Sequence, residues 1–313
     1  QRLVDSLYIK SNVDVYITGS NAYMLSGELA TLLTGRYVEI NLLPLQFAEY
    51  YGFTIEKSPN LSKNDILANF IHYGGIPEYA KQLAISEKQA NMFVQSILTT
   101  IVEKDIFQRL NITNKHDFNK ILDFVLDSVG SYVSPRSISD TLRSNGTIVD
   151  KQTVAKYLDA LCEAYLIYKV PRFEIKGKGL LQTLNKYYVV DPAFAKVRLK
   201  KGILKDRSHW LENMVYLELI RRNKEVFIGK RNNLEVDFVV IDNQDYTSYY
   251  QVAWTTENQE TLERELASLK AIKDSNPKYL LTTDMDFNPV YDGIRKLNVI
   301  DWMLGPSPLT SNL

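Results

Sequence analysis

One cysteine, Cys162, stands among 313 residues, so no internal disulfide can form. It sits within an apolar helical pattern, which fits a buried structural thiol in a reducing compartment, and the expected location is the cytoplasm. Histidine is equally sparse. His72, His116 and His209 are scattered without ligand spacing, so no metal site is expected. No run approaches the ~18 apolar residues needed to cross a bilayer. No basic segment followed by an apolar stretch opens the chain, so no membrane partner is expected. An excess of one charge is missing too. The 37 basic residues balance 37 acidic ones, which argues against a whole-molecule basic footprint while leaving room for a local basic face.

What is present is a hydrophobic fraction of 45% over a length that accommodates two or three compact domains. Val13–Ile17 reads as a short β-branched strand ending in Thr18-Gly19-Ser20. A helix over 23–33 comes next, then Gly35-Arg36-Tyr37 and an alternating strand at Val38–Leu42. Two strands are too few to cover a helix, so more sheet is expected ahead of them. From Leu45 to about Asn111 the pattern is helical, broken by Lys57–Asn60 and Gly74-Gly75-Ile76-Pro77. Phe118, Ile121, Leu122, Val125, Leu126 and Val129 mark one face of an amphipathic helix. A shorter helix after Ser134-Pro135 and a third opening at Asp150 succeed it, then two β-like runs joined by Lys176–Gly179. Three helices with a two-stranded wing make the winged-helix pattern. The last 110 residues read α-β-β-β-α-β, an α/β unit with a mixed sheet.

Several short motifs occur in a telling order. They are Ile17-Thr18-Gly19-Ser20, Leu33–Tyr37, Leu43–Tyr50, Gly74–Glu78, Glu103-Lys104-Asp105-Ile106, Lys186–Pro192 and Glu235–Val239. Together they resemble a prokaryotic family of AAA+-like ATPases that carries an uncharacterised C-terminal region, over nearly the whole chain. The resemblance implies an α/β multidomain protein: the rear of an AAA+ core over 1–55, a helical lid over 56–112, a winged helix over 113–200 and a PD-(D/E)xK nuclease-like unit over 201–313. It places Ser20, with Thr18 beside it, where a sensor-1 side chain reaches the γ-phosphate or the attacking water, and Arg36 where an arginine finger reaches a neighbour's γ-phosphate. Gly75 and Pro77 match a lid motif near the adenine. Taken as residues alone, Thr-Gly-Ser is also an ordinary turn and Gly-x-Pro an ordinary bend.

The sequence G-x-x-x-x-G-K-[ST] occurs nowhere. Gly177-Lys178 and Gly229-Lys230 are followed by the wrong residues and lie outside a strand-to-helix turn. With Gln1 as the first residue, the chain is therefore expected to begin inside a longer product whose intact form binds ATP and Mg²⁺. This chain alone is expected to hold neither tightly and not to hydrolyse ATP.

In the nuclease-like unit, Glu212 and Asp237 fit the first two acidic positions. On the third strand Gln251 stands where the other acidic ligand belongs, and Ala253 where lysine belongs. Lys270 or Lys273 could substitute for that lysine, but an inactive remnant with Glu218 as a surface residue is the expectation. On the winged helix, Lys151, Gln152 and Lys156, with Lys169, Arg172, Lys176 and Lys178 of the wing, form a local basic set suited to DNA. The competing reading is a non-enzymatic DNA- or protein-binding module; a homo-oligomer or protein partner stays open.

Overall fold

The computed structural model describes residues 6–7, 12–19, 21, 38–83, 85–177, 179–199, 207–222, 224–286 and 289–305. A nine-stranded mixed sheet forms the spine, in the order β1-β3-β2-β4-β5-β6-β7-β9-β8. Its strands are β1 (Tyr132–Val133), β2 (Ile167–Glu174), β3 (Gly179–Val189), β4 (Glu225–Arg231), β5 (Leu234–Ile241), β6 (Thr247–Val252), β7 (Lys278–Thr282), β8 (Val290–Tyr291) and β9 (Ile294–Asn298). The pairs β2–β4, β6–β7 and β7–β9 are parallel and the others antiparallel.

Helices α1 (Phe47–Lys57), α2 (Lys63–Tyr73), α3 (Pro77–Leu83) and α4 (Glu87–Thr100) precede the sheet. A π-helical turn, Ile101–Gln108, continues α4. Then come α5 (Lys115–Asp127), α6 (Pro135–Ser144) and α7 (Lys151–Glu163), each opened by a side-chain cap. The Asn114 carboxamide and the Asp150 carboxylate accept the free N–H groups at the first turns of α5 and α7. The apolar face legible in α5 is buried: Phe118, Ile121, Leu122, Val125 and Leu126 all point inward. After β3 come α8 (Pro192–Leu199) and α9 (Arg207–Arg221); α10 (Gln259–Lys270) crosses from β6 to β7, and α11 (Val299–Leu304) closes the fold.

Two expectations change. Val13–Ile17 and Val38–Leu42 carry no ladder pairing among the described residues, and Tyr16, Val38, Ile40 and Leu42 are exposed. A strand is held by its neighbour's hydrogen bonds, and none of the described residues supplies them. The sheet also runs across the expected boundary at 200/201, because β2 pairs with β4 through Arg172↔Ile228, Phe173↔Gly229 and Glu174↔Lys230. One apolar core accordingly extends from Phe47 to Met303. A second, smaller core under α10 joins Val236, Val239 and Tyr249 to Leu262, Leu266 and Leu269.

Candidate functional site

The sheet brings one lysine and three carboxylates together. Lys186 lies on β3, opposite Tyr132 of β1 and Val170 of β2, and is buried. Its Nζ is 2.8 Å from Glu212 Oε1, 2.6 Å from Glu235 Oε1 and 3.9 Å from Asp237 Oδ1. Glu212 belongs to α9, which is buried from Trp210 through Leu219, so its carboxylate needs an internal partner. It receives a second one from Tyr188, whose hydroxyl donates to Glu212 Oε1 at 2.5 Å. Burial by itself would lower the Lys186 ammonium, but the negative charges of Glu212, Asp237 and Glu235 outweigh it and hold it above the ordinary lysine value. Burial, then the charge of Glu212, pushes the Asp237 carboxyl up.

Asp237 also mends a gap in the sheet. Paired residues of β5 and β6 end at Phe238↔Tyr250. Beyond that point the Val252 N–H donates to Asp237 Oδ2 at 2.8 Å, and the Asp237 N–H donates to Gln251 Oε1 at 3.3 Å. Side chains thus stand in for backbone acceptors where the strands diverge. Gln251 turns to α10, donating to Glu265 Oε2 at 2.8 Å and accepting from Ser268 Oγ at 3.2 Å.

This arrangement does not fit a divalent cation. The ammonium occupies the space between Glu212 and Asp237, and Gln251 brings a neutral amide that is already satisfied. Among the described residues no group of three metal-ligating side chains exists. Ala253 is buried, Lys270 is paired with Asp292 at 2.7 Å and Lys273 is exposed, so no lysine is supplied from α10. Glu218, expected at the surface, is buried and accepts from Arg222 Nε at 2.9 Å. Its place on the inward face of a helix that is buried nearly all round explains the difference.

Three of the short motifs meet at a second point, around Asp191. This carboxylate accepts from the Gly75 N–H at 2.7 Å and from the Ala193 N–H at 2.8 Å. Its complete burial raises its pKa to about 7 despite those bonds. Leu45 N–H donates to Gly75 O at 2.8 Å, and Arg221 Nη2 donates to Pro44 O at 2.6 Å. Gly74 has φ +76, and a Cβ there would lie 1.8 Å from Asp191 Oδ1; a Cβ on Gly75 would lie 2.4 Å from Leu45 O. The adjoining crevice, lined by Pro44, Gly75, Asp191 and Arg221 among others, measures about 20 Å³. That is room for one water and far too little for an adenine. Gly75 is therefore engaged by backbone packing, Pro77 begins α3 on the surface, and Thr18 is exposed. Around Gly75, the described residues leave no space that an adenine could enter. Ser20 and Arg36 lie outside the described residues.

Of the basic set, Lys151 and Lys156 are exposed on the N-terminal half of α7, with Gln152 between them. Arg172 is a correction. It is only 6% exposed, with its guanidinium 5.2 Å from the Tyr132 ring centre, so the side chain packs inward over β1. It belongs to the Lys186 neighbourhood rather than to a phosphate-facing surface.

Comparison with known proteins gives two partial matches to family models and two long relatives. Residues 1–51 match a family described as an AAA domain, and residues 64–202 match a domain of unknown function, DUF8612. An uncharacterized protein of Haemophilus influenzae is 36% identical over 305 residues, covering 97% of this chain and 74% of that protein. The chain belongs to its family. Uncharacterized protein MJ1544 of Methanocaldococcus jannaschii is 30% identical over 307 residues, covering 93% of this chain and 66% of that relative. No solved structure matches. No helix among the described residues is long and apolar enough to cross a membrane.

Lys186, Glu235 and Asp191 anchor these two clusters, and sequence reasoning assigned none of them a role of its own. All three stand inside the short motifs that carry the family resemblance. The available signal was a charged residue flanked by large apolar ones: Lys186 before Tyr187-Tyr188 and Asp191 after Val189-Val190.

Proposed function

We propose that this chain is the output part of an AAA-type nucleotide switch, and that it contacts DNA without cutting it. The match of residues 1–51 to an AAA domain supports the first half. In the whole protein, ATP with Mg²⁺ would be held by a phosphate loop that this sequence does not contain. Ser20 would orient the attacking water and Arg36 would serve a neighbouring copy, which favours a homo-oligomer. The unit α5-β1-α6-α7-β2-β3, with sheet order β1-β3-β2, supports a winged helix whose third helix, α7, is the reading helix. Lys151 and Lys156 on its exposed N-terminal half would reach phosphates, whereas its C-terminal half carries Asp159 and Glu163. The order α9-β4-β5-β6-α10-β7 supports a PD-(D/E)xK-like unit.

The observation that carries the proposal is the Lys186 ammonium, seated 2.8 Å from Glu212 and 3.9 Å from Asp237 where a cleaving enzyme of this fold needs Mg²⁺. Two assays test it. Supercoiled plasmid incubated with the chain and Mn²⁺ is expected to stay intact, while a mobility shift is expected at low salt and to weaken steeply at higher salt. Nicking by the parent chain overturns the silent-site reading; a shift insensitive to salt overturns the phosphate-contact reading. Titration with ATP is expected to give no micromolar affinity.

A further inference from the structure

The turn Ile101–Gln108 is wound as a π-helix over eight residues. Such winding uses i→i+5 bonds, is rare, and occurs frequently at functional sites. Here its contacts connect two distant parts of the chain. Asn21 Nδ2 donates to Asp105 Oδ1 at 3.0 Å, which ties the N-terminal AAA-matched segment to the middle of the turn. Arg109, at the end of the turn, donates from Nε to Asp105 O at 2.8 Å and from Nη2 to Glu163 Oε2 at 2.6 Å. Glu163 is the last residue of α7. An apolar route runs in parallel: the Phe107 ring meets Phe118 edge-on at 4.9 Å, and Phe118 meets Tyr157 of α7 at 5.2 Å. Tyr157 adjoins Lys156 in sequence.

We propose that this π-helical turn is a coupling element that carries changes at Asn21 to helix α7 through Asp105, Arg109 and Glu163. The physical basis is that a π-helical segment has an α-helical alternative that differs from it by the absorption of a residue. Released from Asn21, the segment reverts toward i→i+4 bonding. Each residue absorbed then rotates the C-terminal side of the turn by about 100° and shifts it about 1.5 Å along the axis. A two-state element biased from both ends is what energetic coupling between sites requires. Asn21 directly succeeds Ser20, so the identity of the input rests on the proposed function, in which Ser20 faces the γ-phosphate. The mechanical link itself does not.

Amide hydrogen exchange on the full chain, without nucleotide or DNA, tests the link. Asn21→Ala is expected to speed exchange across Ile101–Gln108 about tenfold, the effect of losing a hydrogen bond to a charged group. It is also expected to speed exchange at the C-terminal turn of α7, about threefold. Glu163→Gln keeps the side-chain shape and is expected to speed exchange in the same turn of α7. Combined, the two substitutions should be non-additive there by at least about twofold, although the residues stand at opposite ends of the relay. Additive effects, or an Asn21→Ala effect that stops before Arg109, overturn the proposal. Loss of DNA binding would count only against the DNA reading, because the exchange experiment contains no DNA.

Discussion

Replacing Lys186 with methionine tests the buried cluster most directly. Methionine keeps much of the apolar stem and removes the charge, so packing changes little. The substitution leaves Glu212, only 7% exposed in its side chain, and Asp237, 10% exposed, without the cation that both face. Glu235, at 35%, recovers solvation from water and adds little. Removing one partner of a buried ion pair typically costs about 3–5 kcal/mol, mostly the penalty of the uncompensated charge. For a chain of this size each kcal/mol lowers Tm by roughly 2 °C, so K186M should melt roughly 6–10 °C below the parent. The pH dependence has a definite sign. Asp237 is already raised by burial and then by Glu212, and loses the ammonium that opposed this. The folded state then keeps a proton that the unfolded chain has released, so stability falls as pH rises through the range above an ordinary aspartate. The Tm deficit should therefore be larger at pH 8 than at pH 5 in scanning calorimetry. Adding Glu212→Gln should recover part of it. A K186M protein that melts within about 2 °C of the parent at both pH values, the shift of a single kcal/mol, would refute the argument that this ammonium neutralises the cluster.

Three further outcomes are expected. Gly75→Ala forces a Cβ to within 2.4 Å of Leu45 O, a backbone atom with no rotamer to yield, and should destabilise by about 3 kcal/mol in urea denaturation; an unchanged midpoint would disprove the close approach. Asp191→Asn should flatten stability between pH 4 and 7. The gap between about 7 in the fold and ~3.9 in the unfolded chain corresponds to about 4 kcal/mol at most, lost by the parent as pH rises through that window. An equally steep slope in Asp191→Asn would assign the pH dependence elsewhere. Lys151→Ala and Lys156→Ala should each lower the salt slope of duplex binding by about one, uniformly across sequences, whereas slopes equal to the parent's would remove α7 from the interface.

The parts of this protein legible in its sequence are those whose cause is local. The α5 stripe, the Asp150 cap and the α-β-β-β-α-β order after residue 200 each arise from periodicity or capping within a dozen residues. The parts that were not legible depend on pairing between distant segments. Arg172 reads as an exposed wing cation because a strand pattern does not say which distant residue packs on its face; the side chain is buried beside the Tyr132 ring of β1. Lys186 and Glu212 stand 26 residues apart, on either side of a boundary expected at 200/201, so neither composition nor spacing places an ammonium between the acidic residues. The pairing of β2 with β4 explains why the cluster exists at all. Joining the β2–β3 hairpin to β4 brings the Lys186 side chain within reach of Glu212 and Asp237. A cation carried by β3 satisfies both carboxylates without any diffusible ion. The fused sheet and the buried ion cluster are one feature: the hairpin cannot leave α9 without stranding buried charge.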